Sequence, residues 1–198
     1  MIPNCPVSRF SVHRSSRGSV AAIEGIIVAS FAALWAGLGV RSLGRGWAIR
    51  LTVASAVLSL ALVIAGVGKL RSPSPTAPAG VLYPNAYWLS VAFAAVAIPL
   101  AVFILKRRRQ HQYILPIIAL IVGLHFFVLV LAFGSFEFAW IGSALSVIAL
   151  ATIWFLPPTV TWRVGPSRRQ VDLWRLVVGI GCTAVLWCLA VMLLWFRN

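Results

Sequence analysis

Acidic residues are almost absent from this 198-residue chain. It holds 3 Asp+Glu against 17 Lys+Arg, and charged residues make up only 10% of the sequence. A water-soluble domain averages about 25% charged residues, so this chain has too few charges to solvate the outside of a soluble fold. Together with a hydrophobic content of 61%, this scarcity excludes a soluble globular enzyme and a disordered chain, and it indicates an integral membrane protein.

Cysteine and histidine are also scarce, which excludes several kinds of chemistry. Cys5, Cys182 and Cys188 form no CxxC pair for thiol–disulfide exchange and have no zinc-site spacing. Of the three histidines, only His125 lies within an apolar run, so a haem held by two histidines is not expected. The sequence therefore predicts no metal and no cofactor.

Two classes of intramembrane protease are excluded by their missing motifs. Gly142-Ser143-Ala144 lacks the Gly-x-Ser-Gly pattern of rhomboid-type serine proteases, and the one intramembrane histidine precedes it on a different segment. Aspartyl chemistry is excluded because Asp172 is the sole aspartate. It stands at a predicted helix start, where the helix dipole favours a carboxylate.

Long apolar runs make up most of what is present. A helix that crosses the hydrocarbon core needs about 20 mostly apolar residues. Six segments qualify: 20–40, 47–68, 87–105, 113–133, 138–156 and 173–196. They lack the alternation of barrel strands, and helices satisfy their own backbone groups in lipid. The sequence thus predicts an all-α, polytopic transmembrane helical bundle with six spans over residues 20–198, after a basic tail at 1–19.

Tryptophan placement supports these six segments, because aromatic residues concentrate at membrane interfaces. Seven tryptophans lie near predicted span ends: Trp35, Trp47, Trp88, Trp140, Trp154, Trp174 and Trp195. We therefore expect them to anchor the bundle at the two interfaces.

Six spans place both termini on one face, side A, and the first, third and fifth connections on the opposite face, side B. Side B carries eleven cations, namely Arg41, Arg45, Arg50, Lys106, Arg107, Arg108, Arg109, Arg163, Arg168, Arg169 and Arg175. Short basic loops stay in the cytoplasm, so we predict a bacterial inner-membrane protein with both termini outside. The orientation inverts if the basic tail directs insertion of the first helix.

The positive charge also predicts partners. Loop arginines at a bilayer surface attract anionic lipid headgroups. Nucleic-acid binding needs a continuous basic surface with stacking aromatics, whereas these cations are divided among short loops on two faces. The expected partners are therefore the lipid bilayer and its anionic headgroups, with no nucleic acid.

Two ionisable side chains, Glu24 and His125, fall inside the predicted spans. Such residues usually face the bundle interior or a water-filled cavity. Counted from the side A ends of their spans, they lie about 6 and 12 Å deep at roughly 1.5 Å per residue. They can meet as a protonatable pair if the first and fourth helices pack together. An interfacial Glu24 and a His125 that serves as an interhelical hydrogen-bond partner are the open alternatives.

Other polar residues fall toward side A at comparable depth. The predicted site for a proton or a small polar solute comprises Glu24, His125, Ser90, Glu137 and Asn85. We expect it to open on side A.

Small residues predict where helices approach closely. Gly142 and Ser146 have small-xxx-small spacing, as do Ser55 and Ser59, and Gly179 and Gly181 thin the sixth segment. This spacing is typical of helix packing rather than of a functional site.

The string Gly123-Leu124-His125-Phe126-Phe127 resembles a Leu-His-Phe-Phe helix motif in small uncharacterised bacterial multi-pass membrane proteins. In those proteins a proline follows the aromatic pair, and Val128 stands in its place in this chain. The resemblance covers part of one helix and implies no established activity. It implies that His125 has more than a structural role.

Three functions remain open from the sequence. The leading hypothesis is a small transporter or channel-like protein with a polar cavity at Glu24 and His125. The second is a structural or accessory membrane subunit that packs against another membrane protein or a second copy of itself. The third is a membrane enzyme with an unrecognised site, against which the scarcity of acid–base side chains argues.

Overall fold

The computed structural model of the chain describes residues 12–43, 45–71, 83–134, 136–164 and 167–195, without the side chains of 12–24, 42, 69–71, 162–164 and 167–169. The described residues form six α-helices: α1 (Val12–Gly39), α2 (Arg45–Arg71), α3 (Pro84–Arg107), α4 (Ile114–Phe133), α5 (Glu137–Phe155) and α6 (Leu173–Trp195). Short 3₁₀ turns, Val40–Ser42 and His111–Tyr113, precede α2 and α4.

Five of these helical segments are long and apolar enough to cross a membrane: Arg45–Gly68, Pro84–Arg107, His111–Phe133, Glu137–Phe155 and Leu173–Trp195. Within α1, residues Gly25–Gly39 form a shorter apolar helix. The prediction of a polytopic α-helical membrane protein is thus confirmed. The helix α1 begins inside the predicted 1–19 tail, of which residues 1–11 lie outside the described part.

The helices pack as two groups of three that meet at α6. In the first group α1 packs against α2 and α6, and in the second α4 packs against α3 and α5. The helix α6 also contacts α5 and α4, and it contributes the fully buried Val178, Cys182 and Leu194 to the core. In contrast, Ser90 is the only buried residue of α3, which lies at the edge of the bundle.

The connection between α5 and α6 differs from the prediction of an all-α chain. It forms a two-stranded antiparallel hairpin, β1 (Thr159–Val164) and β2 (Ser167–Asp172), with Thr159 opposite Asp172 and Val164 opposite Ser167. The prolines at 157 and 158 end the preceding helix, and the β-branched residues that follow favour an extended backbone.

Two of the tryptophans expected at the interfaces are instead buried in the protein. Trp35 and Trp174 are each only 3% exposed, and the Trp174 indole N–H donates to the Leu156 carbonyl at 2.8 Å. The other five, Trp47, Trp88, Trp140, Trp154 and Trp195, are exposed as predicted. A tryptophan near a span end can therefore face a neighbouring helix as readily as lipid.

Helix ends follow local side-chain chemistry. Proline occupies the first position of α3, where its missing N–H needs no partner. The helix α4 ends at Phe133 and is capped by Gly134, whose φ of 64° favours glycine and whose N–H donates to the Val130 carbonyl at 2.8 Å. At the start of α6, Asp172 Oδ1 accepts the Arg175 backbone N–H at 3.0 Å. Asp172 is thus the N-cap residue that precedes the first turn of α6, rather than the first-turn residue that the sequence predicts.

We expect Asp172→Ala to lower the free energy of unfolding by about 1 kcal/mol, because the Arg175 N–H loses its acceptor. Asp172→Asn is the matched control, since its amide oxygen can still cap the helix while its charge is removed. Thermal unfolding of the purified chain in detergent measures both variants. Equal losses in the two variants would show that the charge, rather than the cap, stabilises the start of α6.

Candidate functional site

A serine and a histidine join α3 to α4 inside the apolar bundle. Ser90 on α3 is fully buried, and His125 on α4 is partly buried. Ser90 Oγ lies 2.6 Å from His125 Nδ1, and the Ser90 carbonyl oxygen lies 2.9 Å from the same ring nitrogen. Ser90 Oγ also lies 3.3 Å from the His125 carbonyl oxygen. The two residues therefore approach each other through both side chains and both backbones.

This geometry fits a neutral imidazole in either tautomer. With the proton on Nδ1, the ring donates to the Ser90 carbonyl while the Ser90 hydroxyl donates to the His125 carbonyl. With the proton on Nε2, the Ser90 hydroxyl donates to Nδ1 instead. The first pattern uses both donors and leaves the Nε2 lone pair available as an acceptor. In both patterns the pair links two neighbouring spans.

The predicted site contains three further residues, Asn85, Glu137 and Glu24. Asn85 is exposed in the first turn of α3, on a different helix face from Ser90. Glu137 is partly buried as the first residue of α5. Glu24 belongs to α1, but its side chain is not described. The participation of these three residues remains a prediction.

The predicted pairing of Glu24 with His125 requires that α1 and α4 pack together. The structure places the main contacts of α1 with α2 and α6, and those of α4 with α3 and α5. The helices that carry Glu24 and His125 are therefore not principal neighbours.

Close backbone contact fixes the opposite side of α4. A Cβ atom at Gly123 would lie 2.9 Å from the Gly142 carbonyl oxygen, and one at Gly142 would lie 2.7 Å from the Gly123 carbonyl oxygen. The predicted small-residue face at Gly142 and Ser146 thus receives Gly123 of α4. Because Gly123 stands two residues before His125, this contact with α5 helps to hold the histidine at its position against α3.

Sequence reasoning missed further polar contacts between spans, of which one joins two side chains, on α6 and α2. The Trp187 indole N–H on α6 donates to Ser59 Oγ on α2 at 3.0 Å. Ser59 stood out only as a small residue, and Trp187 is not among the seven tryptophans near predicted span ends. An indole N–H in the middle of a span needs a hydrogen-bond acceptor, because lipid offers none. A tryptophan in mid-span and a serine on another span could therefore have predicted this contact.

Neither a metal cluster nor a known relative identifies the chemistry of this region. Among the described residues, no group of three or more His, Cys, Asp or Glu could hold a metal ion. Comparisons with protein-family models, curated proteins and solved structures each find no match to this chain.

Proposed function

We propose that this chain is a six-span structural or accessory membrane protein in which the Ser90–His125 contact holds α3 on the bundle. In this proposal α1 supplies the sixth span. Its apolar segment Gly25–Gly39 continues toward the N-terminus within a helix of 28 residues. That length exceeds the roughly 20 residues that a span requires.

The observation that carries the proposal is the position of Ser90. It is the only buried residue of α3, and among the described side chains only Ser90 and His125 form hydrogen bonds between α3 and α4. Apolar side chains give little drive for association between helices in lipid, so packing and polar contacts decide which helices stay together. A contact that fixes α3 on the bundle suits an accessory protein, because such a protein must offer an unchanging helix surface to its membrane partner.

A small transporter or channel-like protein is the second candidate, and the exposure of the histidine favours it. His125 is only partly buried, and no described residue forms a hydrogen bond with its Nε2. That nitrogen could take up a proton or accept a hydrogen bond from a small polar solute. Glu24, Glu137 and Asn85 would supply further polar groups if they reach the same cavity.

His125→Gln and Ser90→Ala separate the two candidates. For an accessory protein we expect each variant to lose about 1 kcal/mol of unfolding free energy. The double variant should lose less than the sum of the two single losses, because the two residues share one contact. Unfolding by SDS titration measures these losses. Matched controls are His111→Gln and Ser30→Ala, whose parent residues are exposed, and Ser30 bonds only within its own helix.

Flux measurements complete the comparison. Vesicles that contain the parent chain, His125→Gln or Glu24→Gln should all take up protons at the rate of empty vesicles if the protein is accessory. Proton uptake by the parent chain that disappears in a normally folded His125→Gln variant would instead establish the transporter and overturn the accessory role.

A further inference from the structure

Three segments that are distant in sequence meet on side B and enclose a cleft of about 150 Å³. They are the end of α1 with the turn after it, the 3₁₀ turn before α4 with the first turns of α4, and the start of α6. Among the residues that line the cleft, Arg41, Arg175, His111 and Gln112 are polar groups able to donate hydrogen bonds. No single segment supplies all of them, so only the packed bundle forms the cleft.

The charge in the cleft is positive. The lining holds two arginines, Arg41 and Arg175, and one carboxylate, that of Asp172, so the arginines exceed the carboxylate by one positive charge. Asp172 already accepts the Arg175 backbone N–H at 3.0 Å, and its other oxygen lies 3.7 Å from Arg175 Nε. The guanidinium of Arg41 is exposed and has no hydrogen-bond or ion-pair partner among the described residues. Asp172 therefore does not neutralise Arg41, and the cleft can accept an additional anion.

The remainder of the lining is apolar. Leu38 of α1 and Leu115 and Ile118 of α4 contribute to the wall beside the two arginines. The cleft lies where α1 ends and where α4 and α6 begin, so the phosphates of a bilayer that these helices cross would lie near its level. A lipid headgroup brings an anion and an adjoining hydrocarbon surface to this level together, which matches the cationic and apolar parts of the lining.

We propose that this cleft is a binding site for a phosphate group, with Arg41 and Arg175 as its cationic ligands and an anionic phospholipid as the source. Arginine suits this role because its planar guanidinium matches the geometry of phosphate oxygens. Free inorganic phosphate carries the same anionic group, but it has no hydrocarbon part that could contact the apolar wall. The site stands whether the protein is an accessory subunit or a transporter, because its residues are separate from Ser90 and His125.

The test uses the full chain in phosphatidylcholine nanodiscs, into which phosphatidylglycerol is titrated while native mass spectrometry counts the retained lipid. We expect the double variant Arg41→Gln/Arg175→Gln to bind phosphatidylglycerol about thirtyfold more weakly than the parent chain. The matched control Arg45→Gln/Arg108→Gln removes the same charge from side B outside the cleft, at two exposed positions. It should change the affinity by no more than about twofold.

A second variant and a second ligand keep the outcome decisive. Arg41→Gln alone removes no hydrogen bond or ion pair among the described residues, so it should fold normally and still weaken phosphatidylglycerol binding about fivefold. Inorganic phosphate, tested by the same method, identifies the source: binding of phosphate but not of the lipid, lost in the double variant, assigns the cleft to free phosphate. Equal loss of lipid affinity in the cleft and control variants, or binding of neither ligand, would overturn the proposal.

Discussion

Gly179→Ala should lower the free energy of unfolding by about 2 kcal/mol or more, the largest effect expected from an alanine at the glycines whose surroundings the structure describes. A Cβ atom at Gly179 would overlap the Cα atom of Gly39, and one at Gly39 would lie 2.7 Å from the Cα atom of Gly179. In both cases the obstructing atoms belong to the backbone, so no side chain can rotate away. The helices α1 and α6 must separate to admit the methyl group.

Separation of these two helices would have consequences beyond the glycines. The Thr183 hydroxyl on α6 lies 3.2 Å from the Ala32 carbonyl oxygen on α1, and the buried Trp35 has its carbonyl oxygen 3.1 Å from the position of a Cβ atom at Gly179. A shift that relieves the overlap at Gly179 lengthens the first contact and opens the packing around the second. Because α1 and α6 form the most extensive helix pair of the bundle, the loss should appear in global unfolding rather than as local fraying.

Two glycines on the same helices provide matched controls for this experiment. A Cβ atom at Gly37 meets nothing within 4 Å, and one at Gly181 lies 3.3 Å from Ile148 side-chain atoms, which can adjust. Gly37→Ala should be neutral or slightly stabilising, since alanine favours a helix more than glycine does. Unfolding by SDS titration measures all three variants. A Gly179→Ala variant as stable as Gly37→Ala would contradict the packing of α1 on α6.

The helices themselves could be predicted because lipid leaves few alternatives to a helix for a long apolar run. The predicted span 113–133 corresponds to α4 at Ile114–Phe133, and 173–196 corresponds to α6 at Leu173–Trp195. The start of α1 at Val12 could not be predicted in this way. Hydropathy marks where a helix enters lipid, whereas a helix can extend into the headgroups and water through polar residues such as those of the predicted tail.

The pairing of helices could not be predicted from composition, because lipid-facing and protein-facing surfaces are both apolar. Gly179 stood out in the sequence as a position without a side chain, where another helix could approach closely, but nothing identified Gly39 as its partner. Ser90 and His125 were placed in one predicted site from their depth alone. Their contact also requires that α3 and α4 be neighbours, which the short connection between them favours. No such connection links α1 with α4, and Glu24 was placed beside His125 only by assuming that those helices pack together.

Gly123→Ala should cost about 2 kcal/mol of unfolding free energy, because it forces α4 away from α5. A Cβ atom at Gly123 would lie 2.5 Å from Ser146 Oγ and 2.9 Å from the Gly142 carbonyl oxygen. The serine hydroxyl can move or be removed, whereas the carbonyl belongs to the backbone of α5. The two parts of the clash can therefore be separated by a second substitution.

Ser146→Ala provides that separation. Ser146 Oγ is buried without a hydrogen-bond partner among the described residues, so its removal alone should be neutral or slightly stabilising. Combined with Gly123→Ala, it should recover part of the lost stability but not all of it, since the contact with the Gly142 carbonyl remains. Full recovery in the double variant would show that the hydroxyl alone separates the helices. No loss in Gly123→Ala would contradict the backbone contact between α4 and α5, and with it the support that this contact gives to the position of His125.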